Sequence, residues 1–163
     1  MGFQIHSKQH GMSSLVIERV EIGDSMYNTI LVPLDCTPTD QAIIEHVMKL
    51  AKLVDSRVIL LHVADGWAAR MYGKDAVSSE VTEDTAYLLK IQGEFQSLGI
   101  TAETVLAYGD PVKEIVAWVR KNTCDLVAMS THGHRLLADI FYGTTASKVQ
   151  HEINIPVLLL RAT

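Results

Sequence analysis

The stretch richest in chemical possibility is Ser130-Thr-His-Gly-His-Arg-Leu-Leu-Ala-Asp-Ile-Phe-Tyr-Gly-Thr-Thr145. Gly133 and Gly143 stand with nine residues between them, and Thr144 and Thr145 follow directly. A glycine lets the backbone approach a ligand with no side chain in the way. Gly143-Thr144-Thr145 reads as the opening of a helix. The first amides of a helix have no internal partner, and its dipole favours negative charge. The two threonine hydroxyls add donors. Such a stretch is suited to cradling phosphates with backbone amides. Taken alone, the glycines also fit ordinary turns, and Arg135 reads equally as a phosphate neighbour or a solvated side chain.

Other chemistries find little support. The patterns Gly-x4-Gly-Lys-[Ser/Thr] and Gly-x-Gly-x-x-Gly are absent. Asp139 is the only carboxylate between the two glycines, with no second one placed for acid–base work. His132 and His134 flank Gly133, but no Cys, Asp or Glu stands at ligand spacing around them, which argues against zinc. No nucleophilic triad is visible. Without an evident base or a phosphate-binding lysine, fast phosphoryl transfer is unsupported.

Positioning this loop falls to a regular alternation of elements. Thr29-Ile-Leu-Val-Pro-Leu34 reads as a buried strand ending at Asp35. Thr37 and Pro38 suit the cap and first position of a helix carrying Ile43, Val47, Leu50, Ala51 and Val54 inward. Arg57-Val-Ile-Leu-Leu-His-Val63 is nearly all apolar in its middle, as in a strand covered on both faces. Residues 64–80 read as a loop. A second helix is expected over about 82–98, with Leu88, Ile91, Phe95 and Leu98 inward and Gly99 stopping it. Residues 102–107 alternate more and suggest an edge strand. Asp110 and Pro111 open a third helix with Val112, Ile115, Val116 and Val119 as its stripe. Asp125-Leu-Val-Ala-Met129 is a further strand, a fourth helix starts near Thr144, and Val157-Leu-Leu-Leu160 closes the series. With right-handed crossovers this alternation makes a doubly wound, three-layer α/β sheet.

At this point the chain resembles the universal stress protein family, whose motif is written Gly-x2-Gly-x9-Gly-[Ser/Thr]. Gly133, Gly143 and Thr144 match it; Ser130 stands where the first glycine is expected. If that position needs positive φ, serine costs roughly 1 kcal/mol or more; if φ is negative, serine is harmless. Val32-Pro33-Leu34-Asp35, the strand to Val63, Tyr108-Gly109-Asp110-Pro111 and Pro156-Val-Leu-Leu-Leu160 match further family elements in order. The resemblance covers about residues 27–161 and implies a domain over residues 27–163, with residues 1–26 as an N-terminal extension. It implies a five-stranded parallel sheet of order 3-2-1-4-5, Rossmann-like and of the adenine nucleotide alpha hydrolase-like kind. It implies ATP with Mg²⁺, with Asp35 beside the adenosine and the Val63 backbone on the adenine. Gly133, His134, Gly143, Thr144 and Thr145 would meet ribose and phosphates, and Pro33, Leu34, Gly109, Ser130, Thr131 and His132 complete the surroundings. It also implies a stress-response role and a homodimer formed through Val157 to Leu160.

The totals agree with a single domain. The chain has 163 residues, 48% hydrophobic and 20% charged. With 19 acidic against 14 basic residues, a net charge of -5 offers no broad attraction to nucleic acid or anionic membrane. No apolar run approaches a membrane span, and residues 1–11 hold no apolar signal core. Cys36 and Cys124 are two separated thiols rather than a disulfide framework, which points to a reducing, cytoplasmic setting. Ser14 to Ile22 partly alternates and suggests an extra strand or extended arm. Three functions stay open: an ATP-binding regulatory protein, a nucleotide-free interaction scaffold, and a slow ATP-hydrolysing enzyme.

Overall fold

A computed structural model describes residues 26–65, 79–131 and 144–161. The expected strand or arm between Ser14 and Ile22 lies outside the described residues. Strands β1 (Thr29–Leu34), β2 (Arg57–Ala64) and β4 (Leu126–Thr131) are the most deeply buried. They fill the middle of a five-stranded parallel sheet, with β3 (Ala102–Tyr108) and β5 (Val157–Arg161) at its edges. The order is β3-β2-β1-β4-β5, as the resemblance implies. Near-continuous hydrophobicity is what a strand covered on both faces requires, although the edge strand β5 is also apolar from Val157 to Leu160.

Strand pleating divides the core into two. Ile30, Val32 and Leu34 of β1 join Val58 and Leu60 of β2 on one face. Helix α1 (Gln41–Val54) and helix α2 (Ser79–Ser97) cover that face with Ile43, Ile44, Val47, Leu88, Ile91 and Phe95. Leu31, Ile59, Leu61, Val127 and Met129 point the other way. There α3 (Pro111–Lys121) and α4 (Thr144–Glu152) close over them with Ile115, Val116 and Val149. Two helices on each face make the fold doubly wound.

Local chemistry sets the helix ends. Asp110 caps α3 by accepting from the Lys113 amide at 3.0 Å, and Pro111 takes the first turn. Helix α1 is entered through a 3-10 turn, Pro38–Asp40, with Thr37 as its cap. Its inward face centres on Ile43, Ile44, Val47 and Ala51, leaving Leu50 and Val54 only partly buried. The expectation for α2 needs two corrections. The helix begins at Ser79, inside the stretch read as loop. Leu98, expected inward, is 46% exposed. The last turn leaves the helix at Ser97, and Gly99 at φ 78° swings the chain so that Ile100 enters the core instead. Both the Leu98 and Ile100 amides donate to the Phe95 carbonyl, each at 3.1 Å.

Candidate functional site

The carboxyl ends of parallel strands gather on one side of the sheet. Asp35 follows β1, Val63 lies near the end of β2, Gly109 follows β3, Ser130 and Thr131 end β4, and Thr144 and Thr145 begin α4. Helix α1, which follows β1, covers one face of the sheet, and α4, which follows β4, covers the other. The crevice between β1 and β4 is therefore the switch point at which open α/β sheets take ligands.

Pro33 helps to open that crevice. The Asn28 carbonyl accepts from Arg57 in β2, and the Thr29 carbonyl accepts from Asp125, just before β4. Alternate peptide groups thus serve alternate neighbours, and Thr29, Leu31 and Pro33 turn theirs toward β4. Proline has no N–H to donate there. The β1–β4 register holds only Ile30↔Leu126 and Leu31↔Val127, whereas β1–β2 pairing runs from Thr29↔Arg57 through Leu34↔His62. The ladder ends before the strands do.

The walls follow from the neighbouring strand ends. Leu34 is buried, Pro33 half-buried and Val63 close to fully buried, so these contribute backbone and packing rather than charge. Asp35 is exposed. Gly109 has φ 134°, a conformation that favours glycine, and its amide donates to the Ala64 carbonyl at 3.1 Å. A Cβ there would meet Glu114 no closer than 3.5 Å, so backbone conformation rather than space calls for glycine. Ser130 lies extended in β4, and positive φ among the described non-glycine residues occurs at Cys36 and Asp55. Serine at the motif's first position is thus free of that strain. Ser130, Thr131 and Thr145 are half-buried. His132, Gly133, His134 and Gly143 lie outside the described residues. A shallow depression lined by Asn28, Lys52, Asp55, Arg57 and Gly99 sits at the opposite end of the sheet, far from these groups.

The turn carrying Asp35 is clamped from beneath. Asp40 is fully buried, and its carboxylate accepts from the Asp35 amide at 3.1 Å and the Thr37 amide at 3.2 Å. Tyr87 of α2 adds its hydroxyl at 3.3 Å. Burial raises the Asp40 pKa, and these donors offset part of the rise. Burial and the Asp40 charge push the Tyr87 phenol up in turn. A carboxyl whose folded pKa exceeds its unfolded one lends stability fully below the ordinary carboxylate range and loses it as pH rises through the raised value. The parent should therefore lose ground to Asp40→Asn, in melting temperature, as pH rises above the ordinary carboxylate range of about pH 4. A parent that gains on the variant over that rise would show the anion to be the favoured form.

A thiol beside a helix start, as Cys36 is, can have a lowered pKa. Instead burial, and then the charges of Asp84, Asp40 and Asp35, push it up to about 12. The residue is only half-buried and adopts φ 57°. Cys124 is buried, and burial raises its thiol pKa too. Sequence reasoning missed the company Cys36 keeps. His62 of β2 sets Nδ1 2.8 Å from the Leu34 carbonyl and Nε2 3.2 Å from Asp84 Oδ2 of α2. No motif links three residues on three elements. The available signal was His62 itself, the only polar residue in the run from Val58 to Ala64.

The fold is a doubly wound parallel α/β domain with its switch point between β1 and β4. The chain belongs to the universal stress protein family, whose model matches residues 26–161. It is 27% identical over 146 residues to Universal stress protein MJ0531 of Methanocaldococcus jannaschii, covering 85% of each chain. The solved structure of MJ0577, from the same organism, superposes with a TM-score of 0.72 at 28% identity, covering 85% of this chain and 98% of that one. Two more distant structures share the fold. A universal stress protein in complex with cAMP matches at TM-score 0.65 and 17% identity, over 85% of this chain and all 100% of the other. The Archaeoglobus fulgidus universal stress protein in complex with dAMP matches at 0.62 and 18%, over 82% and 98%.

Proposed function

We propose that this chain binds ATP, or a closely related adenine nucleotide, in the crevice between the carboxyl ends of β1 and β4, and acts as a regulatory protein of stress resistance. The observation that carries this reading is the early end of the β1–β4 ladder at Pro33, beside Asp35 and opposite Ser130 and Thr131. Asp35 would accept from the ribose or base, and the Val63 backbone would face the adenine. The amides opening α4, with Thr144 and Thr145, would receive phosphate, joined by Gly133, His134 and Gly143 in the motif. Mg²⁺ would accompany the triphosphate. The cAMP and dAMP complexes of proteins with this fold support an adenine nucleotide as the ligand class.

Occupancy, not turnover, is the output on this reading. The turn after β1 runs Asp35-Cys-Thr-Pro-Thr-Asp40, and Asp40 is committed to holding that turn. With Asp40 so committed and Asp35 assigned to the nucleoside, no group is placed to activate water, so hydrolysis is slow or absent. Two copies pair through β5, an edge strand on which Leu159 is 37% exposed. Two free thiols suit a reducing compartment such as the cytoplasm, and no described helix is long and apolar enough to cross a membrane.

Thermal melts with ATP, ADP and AMP, with and without Mg²⁺, test the proposal. Ligand at about 100 times its dissociation constant adds roughly 2.7 kcal/mol to folding stability. A rise with ATP-Mg²⁺ supports the site; no shift with any of the three would leave a nucleotide-free scaffold. Steady turnover faster than about one ATP per second would make the protein an enzyme.

A further inference from the structure

We propose that Cys36, His62 and Asp84 form a binding site for a zinc-class divalent metal ion, with Cys36 Sγ, His62 Nε2 and an Asp84 carboxylate oxygen as ligands. The three donor atoms lie within 4.8 Å of one another, drawn from the β1–α1 turn, β2 and α2. They converge where water is largely excluded, with the His62 and Asp84 side chains 12% and 15% exposed.

The histidine is set as a metal ligand would be. A carbonyl oxygen only accepts, so Nδ1, 2.8 Å from the Leu34 carbonyl, carries the proton. That bond fixes the ring and directs Nε2 toward Asp84, as backbone carbonyls orient metal-bound imidazoles. Asp84 Oδ2 lies 3.2 Å from Nε2 yet is buried without a hydrogen bond. The direction of a ring N–H misses it. An ion set off the line between the two atoms satisfies both. Nitrogen and oxygen ligands at about 2.0–2.2 Å, separated by a tetrahedral angle, stand about 3.3 Å apart. Cys36 already turns its thiol into this corner, with Sγ 4.0 Å from the Asp84 carbonyl.

The donor set selects the metal. One sulfur, one nitrogen and one oxygen suit Zn²⁺ and its surrogate Co²⁺, whereas Mg²⁺ takes oxygen alone. Asp35, Asp40 and Asp84 all bring negative charge to Cys36, which favours a cation at the same place. On coordination Cys36 binds as thiolate and its proton passes to solvent, while His62 keeps the proton on Nδ1. Three protein ligands leave a fourth position for water or another donor. Nucleotide binding plays no part in this inference.

Cobalt tests it on the full-length chain, reduced and stripped with a chelator. One equivalent of Co²⁺ should produce a thiolate-to-cobalt charge-transfer band with visible bands of tetrahedral intensity, both removed by Zn²⁺. Cys36→Ser should abolish the charge-transfer band, and Cys124→Ser should leave it intact. His62→Gln and Asp84→Asn should weaken cobalt affinity about a hundredfold or more, since losing even a group that only orients a ligand costs about 10–100-fold. Unchanged far-ultraviolet circular dichroism in the apo variants separates lost ligation from lost fold. Absence of the band at stoichiometric cobalt would overturn the proposal and leave a His62–Asp84 ion pair fastening β2 to α2. A band that survives Cys36→Ser would overturn it equally.

Discussion

Gly143→Val is expected to remove the ATP-dependent rise in melting temperature while leaving the ligand-free melt nearly unchanged. Gly143 immediately precedes Thr144, the first residue of α4. The free amides of that helix start are the groups to which the proposed site assigns phosphate. A branched side chain next to them fills the space phosphate oxygens would take. In the parent, saturation at about 100 times the dissociation constant is worth roughly 2.7 kcal/mol. At about 2–4 °C per kcal/mol for a domain of this size, that is a rise of roughly 5–10 °C. The variant should show none of it. A rise retained in Gly143→Val would move the phosphate site away from α4.

Phe95→Ala should be the most damaging core truncation, lowering stability by about 3–5 kcal/mol. Phe95 is fully buried between α2 and the sheet, among Leu88, Ile91, Ile100 and Ala102. Removing the ring forfeits its transfer free energy and leaves a cavity that α2 cannot close without tilting. The denaturant midpoint should fall with little change in slope, as for a loss of stability without a change in the unfolded ensemble. Leu98→Ala, three residues on, is the control. Its side chain is 46% exposed, and the expected change stays within about 0.5 kcal/mol. Comparable losses at the two positions would contradict the way α2 ends.

That contrast marks where the fold was legible in the sequence and where it was not. The strands are plain because β1, β2 and β4 are sandwiched, and a sandwiched strand has little choice but to be apolar throughout. Caps and stops are also local events, so Asp110, Pro111 and Gly99 announce themselves. Leu98 continues the helical spacing of Leu88, Ile91 and Phe95, yet the Gly99 turn replaces it with Ile100. Periodicity cannot register that the helix has already ended.

The site divides in the same way. The adjacency of β1 and β4, the strands that precede Asp35 and the glycine motif, was legible. The contribution of Pro33 was not, because it depends on which neighbour each peptide group faces. The clamp on the Asp35 turn was hidden for a like reason. Asp40 and Tyr87 stand 47 residues apart and meet only when α2 packs on the sheet. The Cys36–His62–Asp84 cluster follows no spacing rule at all. Ser130 reads as a departure from the family motif, but in the extended conformation it occupies, glycine has no advantage. Gly133 and Gly143, the most legible part of the motif, lie outside the described residues.

The most direct test of the nucleotide crevice is a titration of ¹⁵N-labelled protein with ATP-Mg²⁺, followed by amide chemical shifts. Changes should concentrate at Asp35, Val63, Gly109, Ser130, Thr131 and Thr145, with Asn28, Arg57 and Gly99 at the other end of the sheet unmoved. Shifts confined to that opposite end, or none at saturating ATP, would contradict a nucleotide site at the parting of β1 and β4.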